Sequence, residues 1–147
     1  MELFELQLSW TGTTATADYS RDVTAAAAGK PAIAMSAAPS YGGDPARWNP
    51  EDLFGASLAT CHTLTFLSLA KKFGIDVRQL EDHVTVTVDT VERVTKITRV
   101  RLAPTITVLA GPTPEKVREA YEKAHRYCIV ANSTPVEVEL APEVRFA

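Results

Sequence analysis

Phe4, Leu6, Leu8 and Trp10 alternate with Glu5, Gln7 and Ser9. A period of two predicts a half-buried strand. Gly12 permits a turn, and the segment from Thr13 to Tyr19 is expected to return as its hairpin partner. After Arg21-Asp22 comes an alanine run closed by Gly29-Lys30-Pro31, then a short strand near Ile33 to Met35. The turn-rich run from Pro39 to Pro45 predicts a loop. Further on, Val84, Val86 and Val88 alternate with Thr85, Thr87 and Asp89, a second strand signal. Val100, Leu102, Pro104, Ile106 and Val108 give a third. A turn near Glu92-Arg93 makes these two a long hairpin, with Pro104 expected at an edge or a bulge. Val136, Val138 and Leu140 predict a last strand.

Two stretches change the period. Asn49 is a good helix N-cap, Pro50 suits the first helical position, and Glu51 and Asp52 suit the positive helix start. The helix is expected from Pro50 to about Phe73, stopping at Gly74, and roughly 36 Å long. Leu58, Ala59, Cys61, Leu64, Phe66, Leu67, Leu69 and Ala70 make it apolar on nearly every side, which predicts burial. A second helix is expected from Thr113, as cap, and Pro114. There Val117, Tyr121, Ala124 and Cys128 fall on one stripe.

These elements predict one α+β domain over residues 1–147. Antiparallel sheets surround a long buried central helix and a second, amphipathic one. A helix apolar all round needs more cover than the remaining elements supply, which points to a homodimer.

The 147 residues suit a single core, and 46 % hydrophobic with 22 % charged residues argues against disorder. A net charge of −3 without a basic run argues against nucleic acid. No apolar run of roughly 18–20 residues is expected to span a membrane. The start, Met1-Glu2-Leu3-Phe4-Glu5, lacks the basic residues of a signal peptide. The expectation is a cytoplasmic protein whose two cysteines stay reduced unless they work as a transient pair.

Cys61 and Cys128 lie on the apolar faces of the two helices, so helix packing could bring the sulfurs together. Two small core thiols are the plainer alternative. Glu51 precedes Cys61 by ten residues, about 15 Å along the helix, so the two cannot touch. An arginine could bridge them, holding a thiolate by charge and clamped by the carboxylate. Arg21 and Arg47 are both candidates. His62 and His125 flank the cysteines, but no Cys/His zinc spacing is present. A phosphate loop and a dinucleotide fingerprint are also missing. Neither a metal nor an organic cofactor is expected.

The run Asn49-Pro50-Glu51-Asp52-Leu53-Phe54-Gly55-Ala56-Ser57-Leu58-Ala59-Thr60-Cys61-His62 resembles the helix signature of the OsmC/Ohr family. These are the osmotically inducible and organic-hydroperoxide-resistance proteins. Ala124-His125-Arg126-Tyr127-Cys128-Ile129-Val130-Ala131-Asn132-Ser133 resembles its second cysteine motif. Tyr19-Ser20-Arg21-Asp22 resembles its arginine motif, and Tyr41-Gly42-Gly43-Asp44 the loop before the helix. The resemblance implies an intertwined homodimer that reduces peroxides. It implies that Cys61 is the peroxidatic thiol and Cys128 the resolving one, with Arg21 holding the Cys61 thiolate and Glu51 orienting Arg21. It implies a disulfide intermediate restored by a dithiol, lipoyl-type in some family members. The arginine motif lacks the glycines of the organic-hydroperoxide branch, Val23 stands where the OsmC-like branch often has His, and Cys61-His62-Thr63-Leu64 is closer to the OsmC-like branch. The alternative is a non-enzymatic protein binding a hydrophobic small molecule in the dimer cleft.

Overall fold

The computed structural model describes all 147 residues, Met1–Ala147. Its contacts divide the chain into two compact units, Met1–Leu53 and Phe54–Ala147.

The first unit holds a three-stranded antiparallel sheet in the order β1 (Gln7–Ser9), β2 (Val23–Ala26), β3 (Ile33–Met35). β3 lies where the sequence expects it. The hairpin partner does not: Gln7 pairs with Ala26 and Ser9 with Thr24, while 13–19 forms bends and turns. The alternation there is carried by Thr and Ala, too small to hold a sheet face, and β2 instead uses the alanine run. β1 is exposed rather than half-buried. Leu3, Phe4, Leu6 and Leu8 are exposed with it, and the one buried side chain of this unit is Ser36. Ser36 ties the unit's loops together. Its Oγ donates to Arg21 O at 3.2 Å and accepts from Asp44 N at 3.0 Å, and its N–H donates to Trp48 O at 2.9 Å. Gly43 is required here, because a Cβ would lie 1.6 Å from Ala37 O.

Helix α1 (Pro50–Lys72) starts at the predicted cap. Asn49 Oδ1 accepts from Asp52 N at 2.8 Å, and Asp52 Oδ2 accepts from Asn49 N at 3.1 Å, a reciprocal capping box. After the helix, Gly74 takes φ 70°, the left-handed turn that glycine allows. Gly55, Leu58, Ala59, His62, Phe66 and Ala70 form its buried stripe. Gly55 permits close approach to the sheet, since a Cβ there would meet Val86 Cγ2 at 2.6 Å. The expectation of burial all round fails within one chain: Leu64 is 62 % and Leu67 38 % exposed. The other elements cover one side only. By length and composition alone α1 could cross a membrane. The sequence reading missed this because Gly, Ser, Thr and His interrupt a run, Leu53 to Ala70, that carries no Asp, Glu, Lys or Arg.

In the second unit, β4 (Val77–Val91) and β5 (Val94–Val108) make a hairpin much longer than the valine alternation alone marks. Glu92 and Arg93, both at positive φ, form its two-residue turn. Helix α2 (Pro114–Tyr127) follows, capped by Thr113 Oγ1 on Lys116 N at 3.3 Å, then the single turn α3 (Ile129–Asn132). β6 (Glu137–Leu140) and the unforeseen β7 (Glu143–Phe146) both run parallel to β5, so the sheet is mixed rather than antiparallel. Pro104 therefore lies on a central strand. β6 pairs with Arg99–Leu102 and β7 with Thr105–Val108. Leu102 O accepts from Ala141 N at 2.8 Å. Two residues on, Pro104 turns its nitrogen to the same edge, at the step between β6 and β7, where a donor is not needed.

The α+β class holds. The second unit has two apolar clusters. Phe66, Ala70, Ile75, Ile106, Val108, Val117, Tyr121 and Ala124 belong to one. Leu58, Ala59, Val100, Leu102 and Cys128 form the other, with Cys61 packed against it.

Candidate active site

The predicted stripe on α2 is buried in full: Val117, Tyr121, Ala124 and Cys128 are all 0 % exposed. Cys128 ends α2 and caps α3, its Sγ accepting from Ala131 N at 3.4 Å. That break in the helix turns the first amides of α3 toward α1. Cys61, just over half a turn past Ala59 on α1, is partly open to solvent. The structure thus brings the two cysteines together as free thiols.

Their environments separate them. Burial pushes the Cys61 thiol up, but hydrogen bonds outweigh it. The Val130 N–H, the Cys128 thiol, the Ile129 N–H and the Thr65 hydroxyl all favour its thiolate and lower it below the ordinary value. The Thr65 proton is given to Cys61 O at 2.8 Å in this structure, so we assign the main stabilisation to the two amides and Cys128. Cys128 moves the opposite way. Burial raises it most, the Ala131 N–H pulls it back, and donation to Cys61 together with the Cys61 charge raises it further. The pair shares its protons, with the charge on Cys61 and the remaining proton on Cys128.

Cys61 opens on a cavity of about 460 Å³ lined by Leu64, Thr65, Ser68, Leu69, Tyr127 and Ile129. Its wall is mostly apolar, and Cys61 forms part of it. Such a site can present a thiolate to a small apolar molecule and offer a second thiol behind it.

Arg21 and Glu51 belong to the first unit. Arg21 Nη1 donates to Tyr19 O at 3.0 Å, and its guanidinium lies 4.4 Å from the Tyr19 ring centroid. Gly42, at φ 81°, backs it so closely that a Cβ would stand 3.0 Å from Arg21 Nε. Tyr19 and the glycine loop therefore hold this side chain from two sides. Arg47, the other candidate, is engaged with Asp22 at 3.5 Å and Asp44 at 3.7 Å. Glu51 stands in the first turn of α1, and its Oε2 is buried without a hydrogen-bond partner in the chain.

Sequence reasoning missed the amides of Ile129 and Val130. Backbone donors leave no mark in residue type, and only the helix break at Cys128 could have signalled them. It also left Thr65 and the buried group around His62 unassigned.

The family model for OsmC-like proteins matches residues 42–141. No curated protein matches the chain. Among solved structures, an OsmC-like protein of unknown function from Vibrio cholerae is 28 % identical, with 97 % of this chain and 99 % of that one covered and a TM-score of 0.89. An organic hydroperoxide resistance protein from Elizabethkingia anophelis is 22 % identical, with 99 % of each chain covered and a TM-score of 0.73. The organic hydroperoxide resistance protein OhrB of Bacillus subtilis is 24 % identical over 98 % of this chain and 100 % of that one, at a TM-score of 0.64. The last two show a shared fold.

Proposed function

We propose that this chain, which belongs to the OsmC-like family, is a thiol-dependent peroxidase for organic hydroperoxides. The observation that carries the reading is the opposed tuning of adjacent sulfurs: Cys61 is lowered and open to a cavity, Cys128 raised and buried. The thiolate of Cys61 attacks the distal peroxide oxygen. The O–O bond breaks, an alcohol leaves with a proton from solvent, and Cys61 becomes a sulfenic acid. The Cys128 sulfur then displaces hydroxide from the Cys61 sulfur, giving a disulfide and water. A dithiol reductant, such as a lipoyl group, restores both thiols by exchange. The apolar wall of Leu64, Leu69 and Ile129 favours an alkyl hydroperoxide over hydrogen peroxide.

Arg21 supplies a guanidinium to the Cys61 thiolate in this reading, and Glu51 orients it. The buried, unpartnered Glu51 Oε2 supports that role, because a buried carboxylate oxygen calls for a donor. The working unit is a cytoplasmic homodimer, which covers the apolar residues that one chain leaves open.

The deciding experiment is turnover of tert-butyl hydroperoxide with dihydrolipoamide. Consumption is expected in the wild type and lost in Cys61→Ser. After one equivalent of peroxide, peptide mapping is expected to give a Cys61–Cys128 disulfide. Two free thiols after that treatment would sink the peroxidase reading and leave ligand binding in the cavity.

A further inference from the structure

Five polar atoms of the second unit are buried without a hydrogen-bond partner in the protein. They are His62 Nδ1 and Nε2, Tyr121 Oη, His125 Nδ1 and Asp82 Oδ2. His62 and Tyr121 are both 0 % exposed. The His62 ring centroid lies 4.3 Å from that of Tyr121 and 6.1 Å from that of His125. Asp82 joins from β4. Its Oδ1 accepts from Ala103 N at 2.8 Å, and it lies on the strand face whose Leu80 and Val84 pack against the two apolar clusters. Thus α1, α2 and β4 each send polar groups into one region of an otherwise apolar core.

Buried polar atoms are rarely left alone, because each one gives up its bonds to water on folding. Here the unpartnered groups are chemically complementary. A neutral imidazole has one donor and one acceptor, a phenol has both, and a carboxylate oxygen accepts. Tilted rings at these separations do not bond one another edge to edge. Internal water does fit, since it takes two to four polar partners. The cluster also adjoins the thiols. His62 follows Cys61, His125 stands one turn before Cys128, and Tyr121 and Cys128 lie on one buried stripe of α2.

We propose that His62, His125, Tyr121 and Asp82 hold internal water, and that this water takes up and returns the Cys128 proton as the disulfide forms and is reduced. The second half rests on the peroxidase reading. In condensation the S–S bond forms and the Cys61 S–O bond breaks, with its electron pair leaving on hydroxide. The Cys128 proton passes through the water to an imidazole and on to that hydroxide, releasing water. His125, one turn before Cys128 on the same helix, is the imidazole placed to take the proton, while burial and then the His125 charge hold His62 down to about 4. His62 and Tyr121 position the water. The groups facing the relay are Cys61 and His62 on α1, Tyr121, His125 and Cys128 along α2, and Asp82 on β4, with His83 next to it on the opposite, exposed face of the strand.

Single-turnover kinetics with tert-butyl hydroperoxide test this in two steps. Sulfenate formation, trapped with dimedone in a Cys128→Ser background, is expected at the same rate with and without His125→Gln. Condensation to the disulfide is expected to slow roughly tenfold or more in His125→Gln and in Tyr121→Phe, with a changed pH profile. Wild-type condensation and an unchanged profile in both variants would overturn the relay. Absence of any sulfenate in the Cys128→Ser chain overturns the peroxidase reading, and the relay with it. Hydration is read separately by urea unfolding of the reduced protein. With water on Tyr121 Oη, Tyr121→Phe lowers the midpoint. A dry phenol gives an unchanged or higher midpoint, which overturns the hydrated cluster.

Discussion

Cys61 and Cys128 are tuned in opposite directions: after the Val130 amide, the Cys128 thiol favours the Cys61 thiolate, while burial and the Cys61 charge keep the proton on Cys128. Removing the donor should therefore raise Cys61. In Cys128→Ala the pH profile of Cys61 alkylation is expected to move up. One lost hydrogen bond to a charged thiolate, about 1.5 kcal/mol, corresponds to roughly tenfold slower alkylation near neutral pH. Cys128→Ser keeps an O–H donor and should stay near the wild type. Equal profiles for the wild type and the alanine variant, followed with iodoacetamide, would remove Cys128 from thiolate stabilisation.

Arg21 is pinned between Tyr19 and Gly42. If its guanidinium stabilises the Cys61 thiolate, Arg21→Ala moves the same alkylation profile up and slows peroxide consumption. Gly42→Ala is a finer probe. A Cβ there strains a backbone at φ 81°, by roughly 1–2 kcal/mol, and pushes on Arg21 Nε. It should slow peroxide consumption while the dimer and the Cys61–Cys128 disulfide still form. A Gly42→Ala enzyme with wild-type rates would show that the loop does not position Arg21 for catalysis.

Much of this site was legible in the residues. The cap at Asn49 and the stop at Gly74 located α1, and the stripe ending at Cys128 located the second sulfur. Those two signals allowed the sulfurs to meet without requiring it, and the family resemblance is what paired them. The sheets were less legible. β1 lies inside a clear alternation, but β2 sits among small residues that carry none, so the pairing of the two could not be read. β7 is too short to show a period. Pro104 argued for an edge because its ring forbids a ladder donor, and only the step between β6 and β7 makes a central position tolerable. The amides at Ile129 and Val130 were hidden because any residue supplies them.

Acid should expose the cost of the His62 site. Its imidazole is held down to about 4, first by burial and then by the His125 charge, against an ordinary value of 6.5. The folded state therefore binds fewer protons than the unfolded one between these values. Stability from this group is complete above pH 6.5, falls as pH drops toward 4, and levels off below it. The loss amounts to about 3 kcal/mol. Urea unfolding at about pH 7, 5.5 and 4 should show this slope in the wild type and a shallower one in His62→Gln. Parallel pH dependence in the two proteins would assign the acid sensitivity to other groups.

The exposed apolar residues make the last prediction. Leu3, Phe4, Leu6 and Leu8 are 79 %, 82 %, 72 % and 60 % exposed in one chain, and Leu64 on α1 is 62 % exposed. Isolated apolar side chains on a surface need no explanation, but a row of them leading into β1 and one side of a core helix do. In the proposed homodimer a second copy would cover both without any further component, and self-association through an apolar patch favours a closed pair. Sedimentation equilibrium at micromolar concentration is expected to give twice the 15.9 kDa chain mass. Leu6→Asp with Leu8→Asp should shift that mass toward the single chain, because each places an unpaired carboxylate where apolar cover is needed. The peroxidase rate should fall with it if the neighbouring copy completes the Cys61 site. A wild-type chain that sediments as a monomer would refute the dimer, and the apolar strand would then need another partner.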